Sequence, residues 1–280
     1  MNVLVTGSSG RIGHYVVREL KAYGHVVTGI DVLPSQETGL RVDLTEPGEV
    51  YQALAGAKAE AVVHMGAWPN PGMVPDTRTY GENVQGTFNL FQACADLGIK
   101  RIVSASSNQV YGFAGAAPVY VPVDEDHPRR PVNCYALSKV VGEEAADYFV
   151  SNFGLEILSF RFMGVRRPSQ IGPELEQMVK NPHSGSPILW TRTDARDAAL
   201  ACRLAVKAET VAPGPYNITG SRVVLDEDPE DLIRSRWETP VEVREPLSNF
   251  RSPLSCEKAR QAFGYEAQYV WSVSQRHPED

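Results

Sequence analysis

Tyr135 and Lys139 stand four residues apart in Tyr135-Ala136-Leu137-Ser138-Lys139, inside a stretch to Phe153 that is patterned as a helix. On a helix that spacing puts both side chains on one face. A free tyrosine has a pKa of about 10 and is a poor base at neutral pH. An ammonium beside it favours the phenolate and lowers that pKa. Such a tyrosine can take a proton from an alcohol as hydride leaves the adjoining carbon. Alone, the spacing is also that of an ordinary solvent-facing helix, so its meaning depends on what accompanies it.

The first companion is Thr6-Gly7-Ser8-Ser9-Gly10-Arg11-Ile12-Gly13, a G-x-x-G-x-x-G loop directly after the apolar run Val3-Leu4-Val5. Glycine permits the turn, and missing Cβ atoms let the backbone approach a pyrophosphate. The helix that follows offers free N–H groups and a positive dipole end to that anion. A strand before the loop and a helix after it are the context that gives the motif meaning. Gly7, Ser9, Gly10, Arg11, Ile12 and Gly13 are therefore the expected cofactor cradle. Asp31 ends the second apolar run, 18 residues after Gly13. A carboxylate there accepts hydrogen bonds from ribose hydroxyls and repels a 2′-phosphate, which favours NAD over NADP. Arg11 could offset part of that repulsion.

The second companion is Ser104-Ala105-Ser106-Ser107-Asn108-Gln109-Val110-Tyr111-Gly112, at the end of a run opened by Ile102-Val103. In open parallel sheets ligands gather at the carboxyl ends of strands. A hydroxyl at that place can bind the reacting oxygen and orient it toward the tyrosine.

The elements that must position these groups are legible as an alternation. Strands are expected at Val3–Val5, Val26–Ile30, Leu40–Val42, Ala61–Val63, from Ile102, and at Leu155–Phe160. Helices are expected at Arg11–Tyr23, around Val50–Leu54, at Asn83–Leu97 and at Tyr135–Phe153. Gly24, Gly98 and Gly154 are placed to stop three of those helices. Repeated strand–helix units with nearly continuous apolar strands imply an α/β fold, a Rossmann-type doubly wound parallel sheet covered on both faces. Beyond Arg166 prolines and glycines crowd the chain, including Pro168, Gly172, Pro173, Pro182, Gly185 and Pro187. The expected organisation is a cofactor domain over 1–165 and a smaller, less regular substrate-binding region over 166–280, with the chain free to cross back to the sheet.

Four features occur in order: the glycine loop, Ser106-Ser107-x-x-Val110-Tyr111-Gly112, Asp124-Glu125-Asp126-His127-Pro128, and Tyr135-x-x-x-Lys139. Together they resemble the extended short-chain dehydrogenase/reductase superfamily, in its NAD-dependent epimerase/dehydratase family, strongly over residues 1–165. The resemblance implies that Tyr135 is the acid–base residue. It implies that Lys139 holds the nicotinamide ribose and lowers the tyrosine pKa, and that Ser107 completes the triad with Ser106 beside it. It also implies that Asp43 and Leu44 lie near adenine and that Met65, Gly66 and Ala67 line the cofactor after His64. Asn83 is expected near the site. For His64 no His or Cys partner is spaced for a metal, and no metal is expected.

Substrate is narrowed further by three details. The chain is short for a nucleotide-sugar epimerase of this kind. Relatives acting on nucleotide sugars often carry R-x-x-N-V-Y-G-P after the sixth strand, where this chain has Arg161-Phe162-Met163-Gly164-Val165-Arg166-Arg167-Pro168. Ser106-Ser107-Asn108 resembles the Ser-Ser-Asn of uronate dehydrogenases, which are compact members, although Gln109 stands where a histidine is common. The expected function is NAD-dependent oxidation of a sugar or sugar-acid hydroxyl by hydride transfer, assisted by the Tyr/Lys/Ser set. Ser106, Ser107 and Asn108 would touch substrate, and Arg166 or Arg167 would clamp a carboxylate. The alternative is a UDP-sugar type 4-epimerase with tightly held NAD, and behind it a non-catalytic NAD-sensing protein.

Composition bounds the partners. Of 280 residues, 42% are hydrophobic and 22% charged, an ordinary globular balance. A net charge of -7 without any basic stripe argues against nucleic acid. No apolar run approaches the roughly 18–20 residues of a membrane span. The four cysteines, Cys94, Cys134, Cys202 and Cys256, are scattered, without CxxC spacing. Free thiols in a reducing cytoplasm are the expectation, since a chain this long needs no disulfides. A homodimer is expected from the resemblance, paired through the two long helices. Phe91, Cys94, Tyr148 and Phe149 are candidates either for that seam or for the core.

Overall fold

The computed structural model of the chain describes residues 1–278. Its centre is a seven-stranded sheet, parallel at every pairing. Along the chain come β1 (Asn2–Thr6), α1 (Gly13–Ala22), β2 (Val26–Asp31), β3 (Leu40–Arg41), α2 (Pro47–Gly56), β4 (Ala61–His64) and α3 (Asp76–Asp96). There follow β5 (Arg101–Ser107), a 3-10 turn over Asn108–Tyr111, β6 (Tyr120–Val121), α4 (Cys134–Phe153) and β7 (Glu156–Phe162). The remainder carries β8 (Val165–Arg166), α5 (Pro168–Lys180), a 3-10 segment Pro182–Ile188, β9 (Thr193–Asp194), α6 (Ala195–Lys207), β10 (Gly214–Ile218), α7 (Pro229–Arg236), β11 (Glu242–Val243) and α8 (Glu257–Phe263).

Sheet order is β10-β7-β5-β4-β1-β2-β3. The strand order reverses between β1 and β4, and the crevice at such a switch point is where ligands bind. Fully buried β4 and mostly buried β1, β5 and β7 are the continuous apolar runs that a doubly covered parallel sheet requires. One face packs on α1, α6 and α8 through Val16, Val17, Leu20, Ala198, Cys202 and Phe263. The other packs on α2, α3 and α4 through Leu54, Leu90, Phe91, Cys94 and Phe149. Phe91, Cys94 and Phe149 therefore belong to the core, whereas Tyr148 is exposed. A third apolar cluster lies beyond the sheet, built from Tyr111, Leu175, Trp190, Leu225 and Trp271.

The tail is more ordered than its prolines suggest. Pro168 occupies the first helical position of α5, where a missing N–H costs nothing. Pro173 lies inside the same helix, yet Ile171, Leu175 and Met178 bury one face and hold it. The long helix α3 begins at Asp76, a full two turns before the apolar periodicity starts, because its first turns bury little besides Thr79. The chain returns to the sheet through β10, whose Gly214–Ile218 pairs with Leu158–Phe162.

Candidate active site

Asn133 caps α4: its Oδ1 accepts the Ala136 N–H at 2.8 Å, which fixes where the helix starts and so where Tyr135 and Lys139 point. Tyr135 and Lys139 are both buried in the wall of a cavity of about 1280 Å³ at the carboxyl ends of the strands. Lys139 Nζ donates to the Ala105 carbonyl of β5 at 2.7 Å and lies 5.8 Å from the Tyr135 ring centre. Ser107, the last residue of β5, lies in the same cavity wall, close enough to Tyr135 to act on its phenol. It also receives the Gln109 N–H at 3.2 Å, which anchors the turn after the strand.

The electrostatics depart from expectation in one respect. Burial pushes the Tyr135 phenol above its usual value, and the groups that oppose this are Ser107 and Arg11 rather than Lys139. Burial brings Lys139 down to about 8, with Glu143 acting against it. Lys139 thus keeps its charge at neutral pH while resting on a strand carbonyl.

The glycine loop lies against the same cavity. Gly7 has φ 66°, a conformation that glycine adopts without strain, and a Cβ there would meet the Gly66 backbone at 2.7 Å. A Cβ at Gly13 would run into the Gly7 carbonyl, so the tight turn needs both glycines. Asp31 accepts the N–H groups of Ser9 and Leu33, each at 3.0 Å, and so ties β2 to the loop. Thr6 Oγ1 accepts the N–H groups of Met65 at 3.1 Å and Gly66 at 2.9 Å. Its own hydrogen is then free for His64 Nδ1 at 2.8 Å, which leaves the His64 Nε2–H for Thr87 at 3.1 Å. His64 is a buried structural strut between β1, β4 and α3, and burial pushes its imidazole down to about 3. Among the described residues no group of His, Cys, Asp and Glu is arranged to hold a metal ion.

Gly7, Ser9, Gly10, Arg11, Ile12, Gly13, Asp31, Asp43, Leu44, Met65, Gly66, Ala67 and Asn83 all line this one cavity. So do Ser106, Ser107, Asn108, Tyr135, Lys139 and Arg166. Asn83 exchanges hydrogen bonds with the Trp68 backbone at 2.8 and 3.1 Å and donates to Ser138 at 3.1 Å, bracing the wall from α3. Arg167 is the exception: it is exposed at the start of α5 and is not part of the lining.

Sequence reading missed several members. Trp68 lines the rim, with its indole N–H on Glu82 at 2.5 Å and Arg78 5.3 Å above its ring. Arg192 and Ile188 come from the segment around Pro182–Ile188, where Leu189 and Trp190 take left-handed backbone (φ 47° and 52°) and turn the chain back. Glu143, one helical turn beyond Lys139, is bound by Arg161 at 2.9 and 2.7 Å and by the Ser106 hydroxyl at 2.6 Å. Arg161 in turn reaches the Tyr111 hydroxyl at 2.9 Å, which donates to Asn217 at 2.7 Å. This chain of contacts fastens α4 to β5, β7 and β10 directly behind the reacting groups. Its signal was present in the sequence, since Glu143 repeats the four-residue spacing of Tyr135 and Lys139.

The chain is similar in sequence and in fold to known proteins. The sequence model of the NAD dependent epimerase/dehydratase family matches residues 3–219. The uronate dehydrogenase of Pseudomonas putida is 30% identical over 165 residues, covering 57% of this chain and 59% of that enzyme. The L-arabinose 1-dehydrogenase (NAD(P)(+)) of Haloferax volcanii is 31% identical over 187 residues, covering 62% of this chain and 71% of that enzyme. The match thus spans less than two thirds of the length of the uronate dehydrogenase. A short-chain dehydrogenase/reductase superfamily protein from Agrobacterium tumefaciens, solved with bound NAD, superposes with a TM-score of 0.75 at 26% identity, covering 96% of this chain and 93% of its own.

Proposed function

The chain belongs to the NAD-dependent epimerase/dehydratase family, and from that membership we propose that it oxidises a hydroxyl of a sugar or sugar acid with NAD as acceptor. The observation that carries the reading is the meeting of Tyr135, Lys139 and Ser107 with the glycine cradle in one cavity. The loop is packed as a close backbone approach to a cofactor needs: a Cβ at Gly7 would meet the Gly66 backbone, one at Gly13 the Gly7 carbonyl, and one at Gly66 Leu44 Cδ1 at 2.8 Å. Asp31 stands where it would meet a ribose, which supports NAD over its 2′-phosphate form. The sugar and uronate dehydrogenases among the relatives support the substrate class.

NAD, when bound, supplies the two-electron acceptor. Ser107 and Tyr135 take the substrate hydroxyl between them, and Tyr135 Oη accepts its proton as the carbonyl forms. Because burial raises the phenol, the phenolate is strongly basic once formed, and Ser107 and the Arg11 charge are what oppose that rise. Asn108, tied to the Pro187 carbonyl at 3.2 Å, and Ser106 shape the floor under the sugar. In this reading residues 1–165 hold the cofactor and 166–280 supply the substrate wall. The reading includes a cytoplasmic enzyme, supported by four cysteines that remain free thiols. It also includes a homodimer, supported by exposed Phe88, Tyr148 and Phe153 on the paired helices α3 and α4.

The test is reduction of NAD by purified protein with free aldoses, uronic acids and UDP-sugars. Reduction with a free sugar or sugar acid is the expected result. No reduction, together with interconversion of a UDP-sugar, would replace the reading by a 4-epimerase. Binding of NAD with neither reaction would leave an NAD-sensing protein.

A further inference from the structure

Beyond Tyr135 the cavity wall carries more positive charge than the reaction uses. Arg11 comes from the glycine loop, Arg166 from β8 and Arg192 from the segment before β9, and all three line the cavity. Two backbone carbonyls hold them. Val165 O receives Arg11 at 3.1 Å and Arg166 at 2.9 Å, and Gly164 O lies 3.4 Å from Arg192. Glu174 on α5 bridges the outer two, 2.5 Å from Arg166 Nε and 2.5 Å from Arg192. Arg192 is 9% exposed, and its Nε is buried with no hydrogen-bond partner. Burial lowers it to about 10 in spite of Glu174, so it stays charged at neutral pH while short of counter-charge.

The backbone is shaped to admit this side chain. Gly164 has φ 51°, and a Cβ there would stand 2.6 Å from Arg192. A larger residue at 164 would occupy the space that the guanidinium takes. β8 pairs in parallel with β9, Val165 opposite Thr193 and Arg166 opposite Asp194, so Arg192 enters the pairing beside Gly164 and Glu174 spans from there to Arg166.

We propose that Arg166 and Arg192 form the binding site for a carboxylate carried by the sugar substrate, and that Glu174 is the internal counter-ion which holds them until that carboxylate displaces it from Arg192. The proposal deepens the sugar-oxidation reading and rests on it for the kind of molecule that brings the anion. Charge supports a single carboxylate: two guanidiniums against Glu174 leave one positive charge, while Arg11 acts on the Tyr135 phenol. Neutral sugars cannot replace Glu174 on Arg192 and so gain nothing from the pair.

The test is calorimetric binding, with NADH present, of a hexuronate, the corresponding neutral hexose and the hexose 1-phosphate, alongside KM for whichever is oxidised. The hexuronate should bind tightest. Arg192→Gln should weaken it roughly 10- to 100-fold, the effect of losing a hydrogen bond to a charged group. The neutral hexose should change by less than about twofold, since it makes no such bond. Arg192→Lys should recover part of the loss, which separates charge from folding. Glu174→Gln should tighten hexuronate binding, because the competing carboxylate is gone. Equal losses for acid and neutral sugar, tighter binding of the phosphate, or weaker hexuronate binding in Glu174→Gln would each overturn the proposal. Arg192-dependent binding without oxidation would sink the dehydrogenase reading and leave the carboxylate site. Oxidation of a hexuronate with unchanged KM in Arg192→Gln would do the reverse.

Discussion

Tyr135 is a weak acid made weaker by burial, so the loss of its hydroxyl should be felt in the chemical step and nowhere else. Tyr135→Phe is expected to lower kcat by about 10²- to 10⁴-fold, the range of general acid–base contributions, with NADH affinity unchanged in a fluorescence titration. His64 makes a separate prediction. Its folded value of about 3 lies below the usual 6.5, so between those values the unfolded chain binds the extra proton. Stability from this group is complete above pH 6.5 and is lost as pH falls toward 3. Urea unfolding at pH 5 should show a deficit of about 2 kcal/mol relative to pH 7 from His64 alone, a deficit that His64→Gln lacks. Most single residues of the site were legible because their types are demanded by chemistry: glycine where backbone must approach, tyrosine and lysine four apart. Arg167 misled because neighbours on an extended segment point to opposite sides, so only one of the pair with Arg166 could enter the cavity. Arg192 carried no local signal, since its place is fixed by the backbone reversal at Leu189 and Trp190.

Between elements, the buried Glu143–Arg161 pair is the fastening whose removal should be felt most. Arg161 is 3% exposed, and without its partner it would be a buried, uncompensated charge. Glu143→Ala is expected to cost about 3–5 kcal/mol in equilibrium unfolding, as breaking buried ion pairs does. Gly13→Ala should weaken NAD binding and lower the melting temperature, since its Cβ would meet the Gly7 carbonyl and the Ser8 Cα. The alternating strands and helices up to Phe162 could be read from periodicity because each buries a face of regular period. Helix α5 could not: Pro168 and Pro173 look like breakers, and only the packing of Ile171, Leu175 and Met178 overrides them. Glu174 rides on that helix, which is why its role at the cavity was invisible before the fold was known.

For the molecule as a whole, the exposed aromatic residues on α3 and α4 favour self-association. Analytical ultracentrifugation should find a dimer, and Phe88→Asp combined with Tyr148→Asp should shift it to monomer without loss of secondary structure. A species that is monomeric before mutation would remove the dimer from the reading. The return of the chain to the sheet at β10 has a further consequence, for how the protein comes into being. While residues up to Phe162 emerge from the ribosome, β7 has β5 on one side and an open edge on the other, because its second neighbour, Gly214–Ile218, lies about fifty residues ahead. An unpaired, apolar strand edge is a template for pairing with other chains. A nascent chain paused in that interval, or a gene cut after Arg166 to isolate the cofactor-binding part, should therefore yield aggregate rather than a soluble half-protein.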